Sequence, residues 1–259
     1  NNINWPIILL NNTASSFINC TFYNNISGSA VIKSENNAVA TISNTIFFHN
    51  AVNTGTFTSY DIPELLTAGG IFVAKNSLFE NYNTGTGLIA GINPRFKDAN
   101  NITGPDNLFF TADDGLQLTT PCSPALNSGD NTDISGITND ILSNQRIFNN
   151  GLVDIGAYEL QALPTAPLRT VYVNKLATGL NNGSSWTNAF TELQAALLYC
   201  ADTVKVAAGI YAPSQISALE SFNIEDSLVI YGGFPVTGNP TNNDRDPVTY
   251  QTIMGGNVA

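Results

Sequence analysis

Short apolar runs punctuated by asparagine occupy the first hundred residues. Ala30-Val-Ile-Lys33, Ala38-Val-Ala-Thr-Ile42, Ile71-Phe-Val-Ala74 and Leu88-Ile-Ala90 are bounded by Asn and Gly. They are too short for helices and predict strands. Three segments repeat one pattern: Asn19-Cys-Thr-Phe22-Tyr-Asn-Asn25, Asn44-Thr-Ile-Phe47-Phe-His-Asn50 and Asn76-Ser-Leu-Phe79-Glu-Asn-Tyr82. Each sets Asn three residues before Phe, and the repeats stand about 25 and then about 32 residues apart, a period of stacked repeat architectures. The extra length is the polar stretch Thr54 to Gly70, which reads as a loop. Several strands per coil, turned by Asn that tolerates left-handed angles, predict a right-handed parallel β-helix with Phe22, Phe47 and Phe79 stacked inside. Asn19, Asn44 and Asn76 themselves have two roles open to them, an amide ladder between coils or simple turn formation.

The pattern changes after Leu163-Pro-Thr-Ala-Pro167, a proline-punctuated stretch that predicts a linker over 164–169. Beyond it Phe190, Leu193, Leu197 and Cys200 recur at helical spacing, with Thr191 and Gln194 in capping-box positions. A short amphipathic α-helix near 191–200 is expected, laid across the open end of a strand stack. Trp186 is expected to pack beneath it, with glycan stacking as the sharper alternative.

Composition narrows the function. Only 11% of residues are charged, and nine Lys and Arg against twenty Asp and Glu give a net charge of −11. Phosphate backbones need clustered cations, so nucleic acid is excluded as a partner. No apolar run approaches the ~20 residues of a bilayer span, so membrane insertion is not expected. Cys20, Cys122 and Cys200 lie far apart with a lone His49, which suggests buried free thiols rather than zinc or a disulfide framework.

Four motifs then resemble the closing region of pectin-lyase-like β-helix proteins of the choice-of-anchor Q type, secreted bacterial surface proteins. They are Ile92-Asn-Pro-Arg-Phe-Lys-Asp98, Ala112-Asp-Asp-Gly-Leu-Gln-Leu118, Cys122-Ser-Pro-Ala-Leu-Asn-Ser-Gly-Asp130 and Leu152-Val-Asp-Ile-Gly-Ala-Tyr-Glu159. Val171-Tyr-Val-Asn174, Asn182-Gly-Ser-Ser-Trp186, Val206-Ala-Ala-Gly-Ile-Tyr211, Tyr231-Gly-Gly-Phe234 and Asp244-Arg-Asp246 are similar to the opening of the same family. The resemblance implies an all-β chain of two partial modules: final coils over 1–97, a closing segment over 98–163, and the cap and first coils of a second β-helix over 170–259. A terminator that precedes an initiator is expected of a piece of a tandem array. The resemblance also implies an extracellular, cell-surface location.

Relatives of this fold include polysaccharide lyases and hydrolases, whose sites need clustered carboxylates with a base or Ca²⁺. The coil residues Lys33, Lys75, Arg95, Lys97, Glu35, Asp61, Glu64, Glu80 and Asp98 occupy unlike offsets and predict no such cluster. Lys33 and Glu35 share one strand face and are expected to form a surface pair. Asp106, Asn107, Asp113 and Asp114, in a Gly-containing loop, are the densest set of hard oxygen ligands, read either as a structural Ca²⁺ site or as turn formers. No catalytic residue is expected. The predicted role is structural or adhesive, in a surface fibre whose partners are neighbouring modules or copies stacked end to end. The alternatives are a polysaccharide-cleaving enzyme whose active coils lie elsewhere and a glycan-binding module.

Overall fold

Left-handed asparagines separate the strands of the first unit in the computed structural model, which describes residues 5–53, 58–59, 65–118, 122–162, 168–213, 221–222, 224 and 227–255. Strand β1 (Ile8–Asn11) turns at Asn12 into β2 (Ala14–Ile18), at Asn19 into β3 (Thr21–Tyr23) and at Asn24 into β4 (Ile26–Ser27). A second pass follows with β5 (Ile32–Glu35), β6 (Val39–Ser43), β7 (Ile46–Phe48) and β8 (Ala51–Asn53), turning at Asn36–Asn37, Asn44 and His49. The turn residues of these two passes have φ between 48° and 64°, a well that Asn enters more readily than other side chains. After β9 (Thr58–Ser59), a third pass contains β10 (Leu65–Ala68), β11 (Ile71–Lys75) and β12 (Leu78–Phe79), and β13 (Ile89–Ala90) returns to stack on β12.

Successive strands enter successive sheets. β1, β5 and β10 form one parallel sheet, β2, β6 and β11 a second, and β3, β7, β12 and β13 a third, while β4 pairs in parallel with β8. Register keeps like residues in rows: Phe22 pairs with Phe47 and Phe47 with Phe79. Their ring centroids are 4.5 Å apart at 17° and 4.8 Å apart at 10°, the ~4.8 Å spacing of neighbouring strands. Strand pairing thus sets the ring stacking. Ile32, Ala40, Ile42, Leu65 and Ala74 complete this core, each large side chain contributing about 1.5–3 kcal/mol by burial.

The described residues from Asp98 to Ala162 hold no strand, only isolated bridges and two 3-10 turns, Asn131–Asp133 and Phe148–Asn150. Irregular backbone needs partners for its amides, and the asparagine turns supply several. Asn44 Nδ2 donates to Asp130 O at 3.0 Å while Asn44 Oδ1 accepts the Asp130 N–H at 2.8 Å. Asn19 Nδ2 reaches Asp154 O at 3.1 Å, and the Gly156 N–H donates to Asn44 O at 2.8 Å. Gly156 has φ 111°, and a Cβ there would stand 2.8 Å from Ile46 Cδ1, so this contact requires glycine. Phe96, Leu118, Ala125 and Ile155 seal against Ile46 and Leu78.

The second unit, Thr165–Ala259, has β14 (Thr170–Val173), β15 (Thr203–Ala207), β16 (Gly209–Tyr211), β17 (Val229–Phe234) and β18 (Thr252–Met254). β14, β15 and β17 form a parallel sheet, and β16 pairs in parallel with β18. Helix α1 (Leu193–Leu197) buries Leu193, Ala196 and Leu197 against Val171, Val173, Val204 and Val206. No described helix is long and apolar enough to cross a membrane.

Several expectations need correction. The helix is shorter than 191–200 and its capping box is absent: Glu192 is the N-cap without a side-chain bond, and the Thr191 N–H goes to Asn181 Oδ1 at 2.8 Å. Phe190 pairs with Val173 as a bridge instead of joining the helix. Leu65–Ala68, read as part of a loop, is β10, while β9 runs antiparallel to β8 with Val52 opposite Ser59. Asp61 and Glu64, and most of the expected linker, lie outside the described residues. Cys20 is a half-buried free thiol whose ionisation burial pushes up. Asn19, Asn44 and Asn76 are turn residues that bind the irregular segment and not one another; an amide contact between passes joins Asn25 Nδ2 to Asn50 Oδ1 at 2.9 Å.

Candidate functional site

The loop from Gly104 to Gly115 is closed by its own carboxylates. Asp106 Oδ1 accepts the Leu108 N–H at 2.8 Å, and Asp113 accepts the Asp106 N–H at 3.1 Å and the Thr111 hydroxyl at 2.7 Å. Asp114 Oδ2 accepts the N–H groups of Phe110 at 2.8 Å and Thr111 at 3.2 Å, then the Tyr158 hydroxyl at 2.8 Å. Asn107, left-handed at φ 58°, donates to Pro105 O at 3.4 Å. The Thr111 hydroxyl and the Asp106 amide hold the Asp113 carboxyl below its ordinary range. These four residues share a loop in which Asp106 Oδ1, both oxygens of Asp113 and Asp114 Oδ2 serve as turn acceptors. No group of three or more His, Cys, Asp or Glu side chains among the described residues is placed to hold a metal ion.

What this bonding achieves is presentation of an apolar tip. Leu108, Phe109 and Phe110 are 61%, 49% and 63% exposed in succession. Phe110 has φ 69°, a left-handed backbone that costs a bulky residue about 1–3 kcal/mol. Its amide is held in that state by Asp114, which is buried and leaves Oδ1 with no partner.

Beside the tip opens a cleft of ≈ 420 Å³, lined in part by Phe110, Leu142, Asp140, Tyr158, Glu159 and Gln161. Below its floor lies a buried polar network. Arg146 donates to Gly156 O at 3.2 Å and Ala157 O at 3.0 Å and stands 3.7 Å from Glu159 Oε2. Glu159 Oε2 accepts the Asp154 N–H at 2.9 Å, and Asp154 accepts from Asn127 N at 2.7 Å and Leu160 N at 2.8 Å. Asp140 accepts the amides of Leu142, Asn144 and Glu159 at 2.9, 2.8 and 3.0 Å. Burial, followed by the neighbouring Asp154 charge, pushes the Glu159 carboxyl up to about 7. Burial also raises Asp154 and lowers Arg146, and burial with the Asp114 contact pushes the Tyr158 phenol far up. Chemically the network can anchor strandless backbone.

Trp186 is placed elsewhere. Its indole lies 4.9 Å from the Tyr172 ring and 5.1 Å from Phe234, with Nε1 donating to Pro240 O at 2.8 Å. At 5% exposure it offers no open face to a sugar, and it packs with Ala207 and Phe234 in a cluster separate from that of α1. Lys33 and Glu35 form a partly exposed pair at 2.9 Å. Sequence reasoning gave no site role to Asp140, Arg146, Asp154, Tyr158 or Glu159. The available signal was two acids inside the otherwise apolar and glycine-containing run Asp154-Ile-Gly-Ala-Tyr-Glu159, in a chain with few charges. Nothing matches this chain among protein-family models, curated proteins or solved structures.

Proposed function

We propose that the chain is a structural and adhesive segment of a large extracellular surface protein, built from right-handed parallel β-helix modules. Residues 1–97 are the last coils of one module, 98–163 its closing segment, and 170–259 the cap and first coils of the next. The observation that carries this reading is the column Phe22–Phe47–Phe79, held in parallel register with nearly coplanar rings. Continuous backbone bonding along such a column makes a stiff rod that needs no catalytic residue.

Strands β1 to β4 each stand at the end of their sheet, near exposed Trp5, Ile7, Leu9 and Ile26. β17 and β18 are likewise terminal, with Val229, Tyr231, Ile253 and Met254 exposed. Such edges are templates for a further parallel strand, which neighbouring modules or copies end to end would supply. Electron microscopy of the native surface material tests this. Rods that lengthen by about 4.8 Å per coil are expected, and short monodisperse particles would overturn it.

A further inference from the structure

We infer that the cleft beside Leu108, Phe109 and Phe110 binds a neutral polysaccharide. This goes beyond the rod, because it concerns the irregular segment and would hold for a free-standing module.

The volume of ≈ 420 Å³ lies within the ~300–1,000 Å³ of small-molecule sites. The walls carry two kinds of group. Phe110 and Leu142 supply apolar surface, and Gln117 and Gln161 supply polar atoms. The donor ends of both amides are already engaged: Gln117 Nε2 with Ala112 O at 2.9 Å and Asp114 O at 3.0 Å, Gln161 Nε2 with Gln145 O at 2.9 Å. Acceptors therefore dominate what remains. A ligand that suits acceptors beside an exposed aromatic ring is rich in donors and has a flat apolar face. A pyranose has both, hydroxyls at its edge and C–H groups on its faces.

Charge selects among sugars. No Lys or Arg lines the cleft; Arg146 is buried on carbonyls and Glu159, and Lys97 Nζ donates to Ala112 O at 3.2 Å. Uronates or sulfated chains would bring anions to acceptors on a chain of net charge −11. Amines are disfavoured too. Asp140 is already saturated by backbone amides, and Glu159, with its carboxyl pushed up to about 7, carries only part of its charge near neutrality. The strained Phe110 backbone fits this use, since strain persists where surrounding bonds fix a residue for a task.

Calorimetry and a glycan array on the 259-residue chain test the inference with neutral cello-, manno- and xylo-oligosaccharides, oligogalacturonate and spermidine. Phe110→Gly removes the ring and relieves the left-handed backbone, so its melting temperature should hold or rise. Gln161→Leu removes an acceptor without touching the tip. At least one neutral series should bind saturably, each variant should weaken it about tenfold, and oligogalacturonate and spermidine should not bind. Absence of neutral binding across the array, equal binding by Phe110→Gly, or binding confined to oligogalacturonate or spermidine overturns the inference. None of these outcomes bears on the rods expected by microscopy, so the structural proposal stands or falls separately.

Discussion

The Tyr158 hydroxyl donates to Asp114 Oδ2 at 2.8 Å, tying the exposed aromatic tip to the run Asp154–Glu159 across 44 residues of chain. The other oxygen of Asp114 is buried without a partner, so loss of this donor leaves the carboxylate more poorly satisfied. Tyr158→Phe should destabilise the first unit by about 1–3 kcal/mol. Calorimetric melting checks this, and an unchanged transition would show that the bond contributes nothing.

Glu159 makes the first unit pH-sensitive in a direction opposite to most carboxylates. Its folded value near 7 exceeds its ordinary value of 4.5, so the folded state binds the extra proton. The associated stability is fully present below pH ~4.5 and is lost as pH rises through ~7. Raised Asp154 adds with the same sign. Lowered Asp113 and Asp130 oppose it only below their ordinary 3.8. Urea unfolding of the first unit should therefore show greater stability at pH 5 than at pH 8, by about 2 kcal/mol. Glu159→Gln, still facing Arg146, Asp140 and Asp154, should flatten that slope; an equal slope in the variant would dismiss Glu159 as its source.

The parallel strands were legible because the Asn-to-Phe offset fixes both a left-handed turn and a buried ring. Asn19, Asn44 and Asn76 keep that offset, and all three have positive φ. Their side-chain partners were not legible. Asp130 is 86 residues from Asn44, and nothing in an irregular segment has a period that announces such pairing. The capping box failed for a related reason: Asn181 competes for the Thr191 amide from outside the local window. The loop carboxylates were visible as a cluster, yet sequence alone could not tell acceptors of backbone amides from ligands for a cation. Burial of Trp186 likewise depended on Tyr172 and Phe234, which come from separate strands.

Asn44 combines two roles that substitution can separate. It is fully buried with φ 48°, and its amide meets both polar groups of the Asp130 peptide. Asn44→Gly removes the bonds and keeps the turn, while Asn44→Ala removes the bonds and strains the turn. The glycine variant should lose about 1–3 kcal/mol and the alanine variant about 1 kcal/mol more. Chemical denaturation orders them, and an alanine variant as stable as glycine would deny any left-handed constraint.

Phe47 is the middle ring of the column and is wholly buried, whereas Phe22 at its end is only partly so. Phe47→Ala should cost about 3–5 kcal/mol and Phe22→Ala distinctly less. Equilibrium urea unfolding measures both, and equal losses would mean that the column does not stabilise its own centre.

Trp186 and Trp5 offer a spectroscopic contrast. Trp5 is 54% exposed and Trp186 is 5% exposed with its indole N–H bonded to Pro240 O. Acrylamide should quench one tryptophan strongly and the other weakly, and Trp186→Phe should delete the weakly quenched emission. The same variant loses a buried hydrogen bond and leaves a partial void against Phe234, destabilising the second unit by about 2 kcal/mol. A ring held in the core has no part in ligand contact, so any oligosaccharide affinity of the chain should be unchanged in Trp186→Phe. A fall in affinity with an unaltered melting temperature would instead return Trp186 to the surface and reassign the sugar contact to the second unit.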